Sequence, residues 1–140
     1  MSKAIEILQA AQARAMSGRP KVGGFPHLAE TLRRAGVTRN RWVLPACQSI
    51  YLTQSGPVVS VGTPLTSGTT DIPPFDREGL VAALRDDQAG RTTFPQFLAA
   101  AWRAGVVQYE VDFEARKVSY SGCLGEEYVE EYPAVDVPLG

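Results

Sequence analysis

The stretch from Phe94 to Ser121, FPQFLAAAWRAGVVQYEVDFEARKVSYS, decides the fold class. Pro95 suits the first turn of a helix, where its missing N–H has no partner to lose, and Gly105 suits the left-handed residue after the last turn. Between them Phe97, Leu98, Ala101 and Trp102 share a face, so the spacing predicts a helix over 95–104. From Val106 the period changes to two. Val107, Tyr109, Val111 and Phe113 alternate with Gln108, Glu110 and Asp112; after a turn, Val118 and Tyr120 alternate with Lys117, Ser119 and Ser121. Two antiparallel strands follow, 106–113 and 116–121, each with one buried and one wet face.

The opening of this stretch has an echo in the first half of the chain. Phe25-Pro26 and Arg34-Ala35-Gly36-Val37 recur at one constant displacement as Phe94-Pro95 and Arg103-Ala104-Gly105-Val106, with six of thirteen positions matching, and Tyr51 and Tyr120 share the displacement. One reading is a duplicated α-α-β-β unit, at about 3–61 and 76–133; the other is that both short helices use the same start-with-Pro, stop-with-Gly idiom.

The remaining elements fit this frame. Ser2 caps a helix over 3–16, with Ile5, Leu8, Ala11, Ala15 and Met16 near helical spacing. A second runs from Pro26 to Ala35, and a third over 77–88 behind Asp76. Short strands are expected at Arg41–Leu44, Gln48–Gln54 and Val58–Val61, then a long irregular connection from Gly62 to Pro74. The segment from Glu126 to Tyr132 reads equally as strand or helix, and the conformation of 126–140 stays open. The expectation is an α+β fold, about four helices on an antiparallel sheet, in one domain spanning 1–140.

Composition excludes several classes. The chain is 44% hydrophobic and 21% charged with a mean hydropathy of -0.11, the profile of a packed globule. No apolar run approaches the ~20 residues of a membrane span, and Glu6, Gln9, Gln12 and Arg14 interrupt the N-terminal region where an export signal needs a continuous apolar core. Cys47 and Cys123 lie far apart and read as reduced thiols, which with the missing signal leads to the expectation of a cytoplasmic protein without membrane contact. Net charge is -1, unevenly spread: residues 1–70 carry eight Lys/Arg against two Asp/Glu, residues 71–140 six against thirteen. The halves then either present charged surfaces to partners or neutralise each other, within the fold or across a homodimer.

No known chemical motif appears. Gly62 to Thr70 contains no lysine and is no phosphate loop. His27, the only histidine, with Cys47 and Cys123 lacks the close pairs that mark zinc ligands, so neither a metal nor a cofactor is expected. A reactive thiolate needs cationic neighbours, whereas Cys123 is followed by Glu126 and Glu127. Arg33, Arg34, Arg39 and Arg41 are a candidate basic patch with Trp42 beside them, although the negative net charge speaks against nucleic acid. Glu126, Glu127, Glu130 and Glu131 are a candidate surface for a basic protein partner.

Taken in order, Phe25-Pro26, Ala35-Gly36-Val37, Leu44-Pro45-Ala46-Cys47-Gln48-Ser49-Ile50-Tyr51, Gly62-Thr63-Pro64-Leu65, Asp87-Gln88-Ala89-Gly90, Phe94-Pro95 and Ser121-Gly122-Cys123 with Gly125-Glu126-Glu127-Tyr128 resemble the bacterial domain-of-unknown-function family 1398. That family is often labelled a phage envelope protein, and some members lie in prophage regions. The resemblance spans about Gly24 to Val135. It implies a compact α+β fold and supplies no catalytic residues. The envelope label fits poorly with a chain that has no membrane segment. Two functions are carried forward. The first is a binding or regulatory module, homodimeric or docking another protein, of phage or prophage origin. The second is a small enzyme or ligand-binding protein whose pocket combines Cys47, Gln48, Ser49, Asp71, Gln88, Cys123 and Glu126.

Overall fold

The computed structural model describes residues 2–137. Four helices and a six-stranded, wholly antiparallel sheet form an α+β fold. Helix α1 (Lys3–Gly18) starts at Ser2, whose hydroxyl accepts the Ile5 N–H at 3.2 Å, and buries Ala4, Leu8, Ala11 and Ala15. Helix α2 (Phe25–Arg34) follows, then strands β1 (Val37–Val43), β2 (Gln48–Thr53) and β3 (Gly56–Val61). After the irregular connection, Asp76 caps α3 (Arg77–Gln88) and Thr93 caps α4 (Phe94–Arg103). Strands β4 (Val106–Asp112), β5 (Lys117–Gly122) and β6 (Glu127–Glu131) complete the chain. No helix or strand occurs from Tyr132 to Val137, and the rest of the tail, 138–140, lies outside the described residues.

The strand order is β3-β2-β1-β4-β5-β6, with β1 and β4 paired at the centre. Register sorts the side chains. Asn40, Trp42, Ser49, Tyr51, Tyr109, Val111, Val118 and Tyr120 face the helices. Across this inner face run stacked and tilted rings, Trp42–Tyr109 at 6.1 Å, Tyr109–Tyr120 at 5.6 Å and Tyr120–Tyr128 at 6.3 Å. Helical residues Leu32, Leu80, Leu84, Phe97 and Leu98 close the core above it. Among the described residues, no helix covers the opposite sheet face.

Two segments differ from the local reading. Strand β1 begins at Val37 instead of Arg41, because its polar residues are held by neighbours: Asn40 Nδ2 donates to Ser49 Oγ at 2.6 Å, and Arg39 reaches Glu110 and Asp112 on β4. The ambiguous acidic segment is strand β6, paired with β5 through Tyr120 opposite Tyr128.

Elements of the two halves keep one spacing. Helices α2 and α4, strands β1 and β4, and strands β2 and β5 each begin and end at the displacement that carries Phe25 to Phe94. Gly105 is required by its surroundings, since its φ is +84° and a Cβ there would lie 2.5 Å from Pro74 O and 2.6 Å from Phe75 Cα. Its counterpart Gly36, at φ +100°, meets only the Gln54 side chain, at 3.4 Å.

Candidate functional site

The seven pocket candidates are placed in several separate regions. Cys47 ends the β1–β2 turn with φ +52°, its carbonyl accepting the Gly62 N–H at 2.9 Å. Gln48 opens β2 opposite Val61, and Ser49 lies buried beneath Asn40. Asp71 stands exposed in the long connection. Gln88 ends α3, where its side chain donates to Glu130 and accepts from Arg85, both at 2.8 Å. Cys123 and Glu126 do come together, in a shallow pocket of about 170 Å³ with Pro73, Pro74, Phe75 and Leu124. Even there Glu126 braces its own turn, accepting the Leu124 N–H at 2.9 Å.

The basic patch is neutralised by carboxylates. Arg33 and Arg34 each bind Glu30 at 2.8 Å. The hydrogen bond from Arg33 leads the effects that hold the Glu30 carboxyl down at about 2, against its ordinary 4.5. Arg39 pairs with Glu110 at 3.1 Å and with Asp112 at 3.3 Å, and Arg41 lies 4.0 Å from Glu110. The positive first half and negative second half therefore meet on the helix-free face of the central strands.

Glu130 is also engaged internally. Arg85 grips both its oxygens, at 2.9 and 3.0 Å, and Tyr128 donates to it at 2.5 Å. Burial alone would raise this carboxyl, but hydrogen bonds from Arg85, Tyr128 and Gln88 hold it below the ordinary range. Arg77 covers the Tyr128 ring at 5.0 Å. Arg85 and Gln88 belong to α3, separated from β6 by one helix and two strands, so no local pattern around Glu130 announces them.

Two features among the described residues stand out. The first is on the helix-free face over β2 and β3. There Ile50 pairs with Val59, Leu52 with Pro57 and Gln48 with Val61; Val59 is 59% and Val61 68% exposed. These strands belong to an uninterrupted uncharged run, since no Asp, Glu, Lys or Arg occurs between Arg41 and Asp71. The second is a recess of about 230 Å³ between α1 and α2, lined by Arg14, Ser17, Arg19, His27, Thr31 and Val137 among others. His27 Nδ1 is buried at its edge without a hydrogen-bond partner.

Among the described residues, no three His, Cys, Asp or Glu side chains are grouped to hold a metal ion, and no helix is long and apolar enough to cross a membrane.

Residues 14–131 match the family described as "Protein of unknown function (DUF1398)". The chain belongs to the DUF1398 family. Similar proteins include uncharacterized proteins of Mycobacterium bovis and of two strains of Mycobacterium tuberculosis, each 57% identical over 136 residues, covering 97% of this chain and 83% of the relative. The DUF1398 assignment agrees with the resemblance carried by the ordered motifs, and the α+β fold agrees with the expected class.

Proposed function

We propose that this DUF1398 member is a binding module that self-associates, two copies packing the uncharged β2–β3 faces together about a twofold axis. The observation that carries the reading is the pair of exposed valines, Val59 and Val61, beside Leu52 on a helix-free sheet face. A second copy suits this surface because an isologous contact sets the patch against itself. Residues 42 to 70 bring no charge to that contact, and the nearest cations on this face, Arg39 and Arg41, are already faced by Glu110 and Asp112.

Other parts of the reading have separate support. The ion-paired arginines weigh against a nucleic-acid surface. Residues 1–140 as one domain of two pseudo-repeat units, about 3–61 and 76–133, draws on the common spacing of their elements, with three strands per unit instead of two. A cytoplasmic setting is supported by the free thiols of Cys47 and Cys123. Phage or prophage origin rests on the family resemblance alone. The separation of Cys47, Gln88 and Cys123 gives the enzyme alternative no geometric support.

Replacing Val59 and Val61 together by Glu should yield a monomer in sedimentation velocity at concentrations where the unaltered protein is dimeric. A dimer that survives the double replacement overturns the assignment to this face.

A further inference from the structure

The recess between α1 and α2 is lined by cationic and polar side chains. Arg14 and Arg19 reach it from the end of α1 and the loop after it, with no carboxylate in its lining. Elsewhere Arg33, Arg34, Arg39, Arg85 and Arg91 are all salt-bridged. Among the described residues neither Arg14 nor Arg19 forms an ion pair; Arg19 acts on Asp87 only at longer range, partly offsetting the upward push of burial on that carboxyl.

Position 27 adds an independent observation. Its counterpart in the second half is Gln96, which completes a capping box: Gln96 Oε1 accepts the Thr93 N–H at 2.8 Å, and Thr93 Oγ1 accepts the Gln96 N–H at 3.3 Å. In the first half Gly24 stands where Thr93 does, and a Cβ there would collide with Pro20 O. No side-chain cap forms on α2, and His27 is left with a buried, unpartnered Nδ1. Leaving such a nitrogen without a bond is unfavourable. The nearby hydroxyls already donate to the backbone, Thr31 to His27 O at 2.9 Å and Ser17 to Arg14 O at 3.1 Å, so donors for a ligand come from the two guanidinium groups.

We infer that this recess binds a small oxyanion, a phosphate group free or on a small molecule, held by Arg14 and Arg19 with the His27 imidazole in its wall. Two cations match an acceptor-only group of high charge density. The volume of about 230 Å³ suits such a group and little more. This site lies on the helices, apart from the β2–β3 face, and stands whether or not the protein dimerises.

His27 is the only histidine, so its imidazole resonances report on this recess alone. Inorganic phosphate titrated into the full chain should shift them along a saturating curve, while sodium chloride at matched ionic strength should not. Arg14→Gln with Arg19→Gln should weaken that saturation at least tenfold; both arginines are exposed, and an unchanged circular-dichroism melt verifies the fold. A linear shift reproduced by chloride overturns the inference. So does saturation that the double variant leaves intact, since the phosphate is then held elsewhere.

Discussion

Strands β3 and β6 close the two ends of one sheet, and their surfaces are opposite in character. Strand β6 carries Glu127, Glu130 and Glu131, the usual means by which an edge strand resists pairing with other chains. Strand β3, Gly-Pro-Val-Val-Ser-Val, carries no charge and exposes Val59 and Val61; only Pro57 interrupts its edge donors. The helix starts diverge in the same way. Thr93 and Gln96 cap α4, while Gly24 and His27 leave α2 uncapped. Matching backbone positions therefore hold the frame, and the departures from matching mark where one half is free to contact something else.

The largest expected difference between the halves lies at their helix ends. Gly105→Ala should cost about 3 kcal/mol in urea unfolding, because a left-handed residue and a backbone clash with Pro74 and Phe75 combine. Gly36→Ala, facing only a flexible glutamine, should cost about 1 kcal/mol. Equal losses would break the contrast.

The two depressed carboxylates differ next. Glu130→Gln should destabilise by about 1.5 kcal/mol, since it leaves Arg85 without its two-pronged partner. Both Glu30 and Glu130 have folded-state values below their unfolded one, so their stabilisation is present above the ordinary 4.5 and is lost as the pH falls through the folded values. Unfolding midpoints should therefore drop between about pH 5 and pH 2, and Glu30→Gln should flatten that drop more than Glu130→Gln, because two arginines hold the Glu30 carboxyl down to about 2. Identical pH profiles for the two variants would count against this ordering.

The helix starts give the smallest effects. Thr93→Ala removes a capping hydroxyl and should cost about 1 kcal/mol. His27→Ala removes no cap, and the gain from losing an unpartnered buried Nδ1 offsets the packing given up, so stability should change by less than about 0.5 kcal/mol in phosphate-free buffer.

Much of the fold was legible because it is written in local chemistry. Ser2, Asp76 and Gly105 punctuate helices, and the alternation around Tyr109 and Tyr120 announces a hairpin. What could not be read locally depends on partners distant in the chain. Thr38, Arg39 and Asn40 give no local strand pattern; Arg39 is held by Glu110 and Asp112 of β4, and Thr38 and Asn40 by Leu52 and Ser49 of β2. Glu130 sits in a segment that fits helix or strand until Arg85 of α3 holds it. Nothing in the spacing of the seven pocket candidates reveals that Ser49 points inward to Asn40 while Gln88 serves Glu130. His27 had a usable signal, the Phe-Pro-His against Phe-Pro-Gln contrast within the internal echo, but its meaning needed the capping box on the other side.

The most direct test of a neutral, self-associating β2–β3 face is the mass of the unaltered protein in solution by size-exclusion chromatography with light scattering. A dimer of about 30 kDa, twice the 15.1 kDa chain, is the predicted result. A single species of 15.1 kDa at every concentration up to about the millimolar range, where weak contacts register, would contradict the account.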